Sequence, residues 1–301
     1  KEPLIILTGP TAVGKTKLSI ALAKAVGGEI ISADSMQVYR HMDIGSAKIR
    51  PEEMQGVPHY LVDELEPWEE FHVVRFQQMA KEAAGKIRHR GHIPIVVGGT
   101  GFYIQALLYD IDFTENEASP YRQELEALAA GRGAAWLHGE LEKVDPESAA
   151  AIHENNVKRV IRALEFYHLT GKKISEHNEE QHEKEAPYQY AYFVLNEDRA
   201  VLYERIGRRI DRMLEEGLVD EVMRLRDMGC RRGMVSMQGL GYKEILAYLD
   251  GEYTLPEAVE ILKRDTRHFA KRQLTWFRRE RDVIWLNKEE YACSEDRILA
   301  R

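Results

Sequence analysis

Cysteine is nearly absent from this sequence. Among 301 residues only Cys230 and Cys293 occur, and neither stands in a Cys-x-x-Cys pair or a Cys/His cluster. That excludes a disulfide framework and a structural zinc site, and it fits a reducing compartment. Long apolar runs are missing too: none approaches the roughly 18–20 residues of a membrane-spanning helix. No basic, apolar, small-residue leader opens the chain, so the expected location is the cytoplasm, with no membrane partner. There is no internal repeat and no low-complexity linker. Positive charge is short overall, with 42 Lys and Arg against 50 Asp and Glu and a formal net charge of -8. That balance argues against a nucleic-acid surface spread over the whole chain. The shortage is uneven, however. From Lys263 to Arg281 there are eight Lys/Arg and two Asp/Glu, a local basic stretch.

What is present is enough for a real core. Apolar residues make up 44% of the chain, and its length suits one large domain or two ordinary ones. Leu4–Leu7 and Ile93–Val97 are short apolar runs of the kind that lie in parallel strands buried on both faces, and Glu29–Ser32 reads as a further strand. Between them, Leu18–Val26, closed by Gly27-Gly28, and Phe76–His89 have helical spacing. Strands alternating with helices predict an α/β fold, a P-loop NTPase-like parallel sheet flanked by helices. Near Asp110 the texture turns helical and acidic, with nine Lys/Arg against sixteen Asp/Glu between Asp112 and Glu185. A mostly helical insertion is therefore expected over 111–189, with the core formed by 1–110 and 190–301. Tyr190–Leu195 and Val283–Leu286 read as returning strands. Helices are expected at Arg199–Glu216, Val219–Met228, Tyr242–Leu249 and from Pro256, which suits a first turn, to about Arg279.

Gly9-Pro10-Thr11-Ala12-Val13-Gly14-Lys15-Thr16 matches G-x-x-x-x-G-K-[ST], placed between a buried strand and a helix. Glycines let the loop curl so that its N–H groups point inward, and the helix N-terminus adds positive partial charge. Lys15 is expected to neutralise phosphate oxygens, and the Thr16 hydroxyl to hold Mg²⁺. The occupant is open at this level. Users of ATP or GTP usually place an acid after a second apolar strand, yet Ile93–Val97 runs into Gly98-Gly99-Thr100-Gly101. The nearest acid at a strand end is Asp34. Asn287-Lys288-Glu289-Glu290 falls short of a guanine-reading Asn-Lys-x-Asp, which disfavours a GTPase switch.

Several further segments carry a resemblance. They are Asp34-Ser35-Met36-Gln37-Val38-Tyr39, Met42-Asp43-Ile44-Gly45-Ser46-Ala47-Lys48, Pro58-His59-Tyr60-Leu61-Val62-Asp63 and Pro94–Tyr103. Lys158-Arg159-Val160-Ile161-Arg162-Ala163-Leu164-Glu165, Gly239-Leu240-Gly241-Tyr242-Lys243-Glu244 and Ala270–Phe277 complete the series. In this order, with the P-loop, the chain resembles the tRNA dimethylallyltransferases (tRNA isopentenyltransferases) nearly end to end. It looks like a bacterial member, lacking the C-terminal zinc finger of some eukaryotic relatives.

The resemblance implies transfer of a dimethylallyl group from dimethylallyl diphosphate to N6 of adenosine 37, beside the tRNA anticodon. The P-loop, Gly9 to Thr16, would then hold a prenyl diphosphate, and the absent acid fits because no phosphoryl group moves. The matching positions imply Asp34 as general base, with Lys15 and Thr11 beside the reacting groups. They imply tRNA contacts at Asp34, Ser35, Met36, Gln37, Thr100 and Arg122, over Lys158, Arg159, Val160, Ile161 and Arg162, and over Gln238, Gly239, Leu240, Gly241, Tyr242 and Lys243. The insertion would grip the anticodon stem-loop, and the target base would flip out of its stack. A monomer is the default expectation. Isolated basic clusters such as Lys158–Arg162 are also commonly solvated helix faces. Arg205, Arg208, Arg209 and Arg212 could grip phosphates or pair with Glu204, Asp211 and Glu215. A P-loop kinase of a nucleotide or small alcohol, with those arginines as a lid, remains the main alternative. A prenyltransferase of free adenine nucleotides and a non-catalytic RNA-binding module are two others.

Overall fold

The computed structural model describes residues 1–113 and 119–301. The chain divides into two compact units, one of Lys1–Leu108 with Pro187–Arg301 and one of Tyr109–Ala186. The first unit opens with β1 (Glu2–Thr8), α1 (Lys15–Val26), β2 (Gly28–Ala33), β3 (His59–Tyr60), α2 (Val73–His89), β4 (Ile93–Gly98) and α3 (Gly101–Leu108). The second unit holds α4 (Pro120–Arg132), α5 (Ala134–Val144), α6 (Pro146–Ala151), α7 (Val157–Thr170) and α8 (Ile174–Glu183). The first unit then resumes with β5 (Tyr188–Asn196), α9 (Arg199–Glu215), α10 (Leu218–Asp227), α11 (Tyr242–Leu249), α12 (Leu255–Phe277), β6 (Val283–Asn287) and α13 (Glu295–Leu299).

The six strands form one sheet in the order β3-β2-β4-β1-β5-β6, and every pairing is parallel. This is the α/β class expected from the apolar runs. Leu4, Ile6 and Leu7 of β1, Ile30 and Ile31 of β2, and Ile95 and Val96 of β4 are all buried, because helices cover both faces. The register matters for function. Thr8 pairs with Gly98, Ala33 pairs with Gly98 on the other side, and Val194 pairs with Thr8. The carboxyl ends of β2, β4, β1 and β5 are thus level, and the loops that follow them emerge side by side. In an open parallel sheet that edge is where ligands bind.

Two details depart from the sequence reading. The edge strand β3 has only two residues, too few for any periodicity to register. Helix α1 begins at Lys15, three residues before the expected apolar stretch, since the P-loop itself turns into the helix. Helix α12 starts as its caps dictate: the Thr254 hydroxyl accepts from Glu257 N, the Glu257 carboxylate accepts from Thr254 N, and Pro256 sits in the first turn.

The helical unit has its own core. Leu125, Leu137, Leu141, Val160, Ile161 and Leu164 pack together. Ser119 caps α4 by accepting from Arg122 N, and Asp145 caps α6 by accepting from Ser148 N.

Candidate active site

The loop between β1 and α1 has the backbone that its glycines predict. Gly9 has φ +148°, and a Cβ there would strike the Leu195 carbonyl of the neighbouring β5. Gly14 has φ +101° and stands as the N-cap of α1. Only glycine holds the first position without displacing backbone. Lys15 folds back over the loop, its Nζ donating to the carbonyls of Gly9 and Pro10 at 2.8 Å each. Burial, with the nearby Arg209 charge, pushes its pKa down to about 7, while Asp34 pulls the other way. Thr16 is exposed in the first turn of α1.

Asp34 follows β2 directly. Its Oδ1 accepts from the backbone N–H groups of Met36 at 2.7 Å and Gln37 at 3.2 Å. That turn fixes the carboxyl, and Oδ2 has no partner among the described residues. Burial raises its pKa; the two N–H groups, Lys15 and Arg209 oppose the rise. Arg209 comes from α9, and its Nη1 donates to the Thr11 hydroxyl at 3.3 Å. Gln273 comes from α12 and is buried. Its Oε1 accepts from Thr11 N at 2.9 Å, and its Nε2 donates to Gly99 O at 3.0 Å. One amide thereby ties the P-loop to the turn after β4. Thr11, Lys15, Thr16, Asp34, Arg209 and Gln273 all line one cavity of about 720 Å³. The site brings together two cations and a loop of N–H donors for an anion, and one desolvated carboxyl for a proton.

Comparison with known sequences and structures shows the family. The profile of the IPP transferase family matches residues 37–280, and that of isopentenyl transferases matches residues 3–66. The tRNA dimethylallyltransferase of Lachnoclostridium phytofermentans is 68% identical over 291 residues, covering 96% of this chain and 93% of that one. The chain belongs to the IPP transferase family. Among solved structures, the tRNA isopentenylpyrophosphate transferase of Bacillus halodurans is 47% identical, with a TM-score of 0.74, covering 100% of this chain and 96% of that one. A eukaryotic dimethylallyltransferase acting on tRNA is 31% identical, with a TM-score of 0.82, covering 95% of this chain and 74% of that one.

Against this family, the other positions expected to act fall into distinct groups. Ser35, Met36, Gln37, Thr100, Gln238, Gly239, Leu240, Gly241 and Lys243 line the same cavity. Gln37 is anchored through its Nε2 to the carbonyls of Ser46 and Ala47 at 3.4 Å each. Tyr242 differs. It is fully buried, donates through its hydroxyl to Glu221 Oε1 at 2.7 Å, and accepts from Ser46 N at 3.1 Å. Glu221 in turn accepts from the backbone N–H groups of Asp43, Ile44 and Gly45. Tyr242 is therefore a strut for the Asp43–Ser46 segment, with its hydroxyl turned into the core.

In the helical unit the Lys158–Arg162 stretch divides between core and surface. Val160 and Ile161 lie in the core of that unit, on the face of α7 opposite the exposed Lys158 and Arg159. Their side chains are buried, and the basic neighbours are the exposed part of the stretch. Arg122 donates through Nε and Nη2 to Glu165 Oε2 at 3.0 and 2.6 Å. The Arg162 guanidinium is held below its usual pKa by burial and by the Arg122 and Arg159 charges, with Glu165 opposing. Arg122, Arg159 and Arg162 thus form one cluster, balanced by the single carboxylate of Glu165.

Two further residues line the cavity: Arg209, which the sequence left open between two roles, and Gln273, to which it gave none. The four arginines of α9 were ambiguous, and both readings occur. Arg208 pairs with Glu204 and Arg205 with Glu197, whereas Arg209 reaches the P-loop. Gln273 carried a signal of its own: it shares a helix face with the buried Ala270 and Phe277, and a buried amide needs partners. The aromatics of that helix pack the body. Phe277 is fully buried, and Trp276 lies on Gly101 and edge-on to Phe102.

Proposed function

We propose that this protein transfers a dimethylallyl group from dimethylallyl diphosphate to N6 of adenosine 37 in tRNA, releasing diphosphate. The observation that carries the reading is the shared cavity in which Lys15, Arg209 and the P-loop face Asp34. The diphosphate sits in the loop Gly9 to Thr16. Lys15 leaves the Gly9 and Pro10 carbonyls to meet its oxygens, regaining a proton there. Thr16 and the diphosphate oxygens suit Mg²⁺, a hard cation that takes oxygen donors and keeps several waters. The exposed Thr16 hydroxyl at the helix start, with Asp34 on the same cavity, fits such an ion. When bound, it adds positive charge against the leaving group.

The chemistry needs charge stabilisation and a proton acceptor. As the carbon–oxygen bond of the donor breaks, negative charge grows on the diphosphate. Lys15, Arg209 and the loop N–H groups meet that charge. The N6 amine forms the new bond to the allylic carbon, and its proton passes to Asp34. A desolvated carboxyl with a raised pKa is a better proton acceptor than an ordinary aspartate. Gln273, by fixing Thr11 to Gly99, sets the distance between donor and acceptor sides. The target base leaves its stack to enter the cavity, where Ser35, Met36, Gln37, Thr100 and the Gln238–Lys243 turn surround it. The Arg122, Arg159 and Arg162 cluster, with Lys158, supplies phosphate contacts to the anticodon stem. Because the helical unit is acidic overall, those contacts are few and local.

Asp34→Asn tests the central role. With donor and tRNA saturating, turnover should fall by roughly 10²–10⁴-fold, while donor affinity stays close to that of the unmodified protein. Near-normal turnover in this variant would remove Asp34 as the base.

A further inference from the structure

A second cavity, of about 470 Å³, opens at the carboxyl ends of β5 and β6. It is lined by Ala270, Lys271, Leu274 and Arg278 of α12, whereas Phe269, Arg272 and Gln273 of that helix line the first cavity. Lys288 forms part of its wall. This residue follows β6 and is only 7% exposed. Its ammonium lies against the P-loop: a Cβ on Gly14 would be 3.1 Å from Lys288 Nζ. The segment carrying it is fixed. The Lys288 carbonyl accepts from Cys293 N at 2.8 Å, and Glu295, at the start of α13, pairs with Lys17 of α1 at 2.9 Å.

The charge balance around Lys288 is unusual for a buried cation. Its nearest carboxylate oxygen is Glu197 Oε2, at 3.7 Å, beyond hydrogen-bond range. The same oxygen lies 3.3 Å from Arg205 Nη1, and it has no hydrogen-bond partner among the described residues. The buried Glu197 carboxylate is shared between Lys288 and Arg205, and Glu295, whose charge also reaches Lys288, is paired with Lys17, so three cations share two carboxylates at the edge of the P-loop. Burial and the Arg205 charge hold the Lys288 pKa below the usual lysine range, with Glu197 and Glu295 opposing. A charge kept at that cost is one that an anion in the loop would relieve.

We propose that Lys288 acts across Gly14 as an additional stabilising cation for the diphosphate in the P-loop, and that Glu197 sets how much of its charge the anion feels. This rests on the reading of the loop as a diphosphate site. Lys288 is a positioning residue: it works through the field at the loop and takes no part in bond making. The arrangement gives two substitutions opposite effects. Removing Lys288 removes attraction, and neutralising Glu197 releases it.

The test is calorimetric titration of the full chain with inorganic diphosphate and Mg²⁺, alongside steady-state kinetics with dimethylallyl diphosphate. Lys288→Met should weaken diphosphate binding about tenfold and raise the donor KM, leaving kcat little changed. Lys288→Arg should retain most of the affinity. Glu197→Gln should tighten diphosphate binding by roughly threefold. An unchanged affinity in Lys288→Met overturns the proposal. So does a loss of affinity in Glu197→Gln equal to that in Lys288→Met, because a purely structural pair would lose affinity from either side. If the unmodified protein does not bind diphosphate, the reading of the loop itself falls, and this proposal with it.

Discussion

Raising the pH across neutrality probes the state of Lys15. In the ligand-free protein its pKa lies at about 7, lowered by burial and by Arg209. At about pH 8, one unit above that value, roughly a tenth of the molecules carry the ammonium. A donor diphosphate beside Nζ restores the charge, so its binding should draw close to one proton from solution per site. By linkage, apparent donor affinity should fall roughly tenfold per pH unit above about 7, until the pKa of the bound state is reached. Calorimetric titrations with dimethylallyl diphosphate, in two buffers of different ionisation enthalpy, measure the proton directly. Arg209→Gln removes one cause of the depressed pKa, so it should move the onset of the fall to higher pH as well as weaken binding. Zero proton uptake at about pH 8, with affinity flat across the range, would refute the description of Lys15 as a desolvated amine awaiting an anion.

Other perturbations follow from the same coordinates. Gln273→Met leaves the Thr11 N–H and the Gly99 carbonyl without their partners. It should cost about 2 kcal/mol in urea denaturation and lower kcat more than it raises the donor KM. An unaltered kcat would show that the bridge does not set the geometry of the site. Burial raises the Glu280 carboxyl from 4.5 to about 7, so ionising it penalises the folded state. The penalty is absent at low pH, grows as pH rises from the unfolded value, and is complete above about 7. Glu280→Gln should therefore stabilise the protein by on the order of 1 kcal/mol at about pH 8 and have little effect near pH 4. Equal effects at both pH values would contradict it. Arg159→Ala with Arg162→Ala should weaken tRNA binding and reduce its salt dependence, with donor binding unchanged. Unaltered tRNA affinity in the double variant would remove this cluster from the RNA surface.

Much of this molecule is legible before any coordinates, for identifiable reasons. The P-loop reads clearly because its glycines and lysine act through backbone geometry, and Leu4–Leu7 and Leu18–Val26 frame it. The parallel sheet reads clearly because strands buried on both faces must be apolar throughout. Asp34 stands out because it ends a buried strand beside no competing acid. Other features depend on long-range partners. Arg209 and Arg205 lie four residues apart on one helix, and only the packing of α9 sends one to Thr11 and the other to Glu197. Tyr242 carries a polar group that could face RNA, but Glu221 and the Ser46 amide satisfy it inside the core. In the Lys158–Arg162 stretch, helical periodicity divides Val160 and Ile161 from their basic neighbours, and a linear motif does not draw that division. Lys288 sits in a segment that fails as a guanine-reading motif, and its place beside Gly14 arises only from the pairing of β6 with β5.

The most direct test of the central claim is incubation of the purified protein with Mg²⁺, dimethylallyl diphosphate and unmodified tRNA, followed by mass analysis of the tRNA nucleosides. The account predicts an isopentenyl-adenosine nucleoside, formed in step with released diphosphate and lost in Asp34→Asn. Unmodified nucleosides, with ATP converted to ADP in a parallel reaction, would contradict it and favour a P-loop kinase in which Asp34 activates a hydroxyl group.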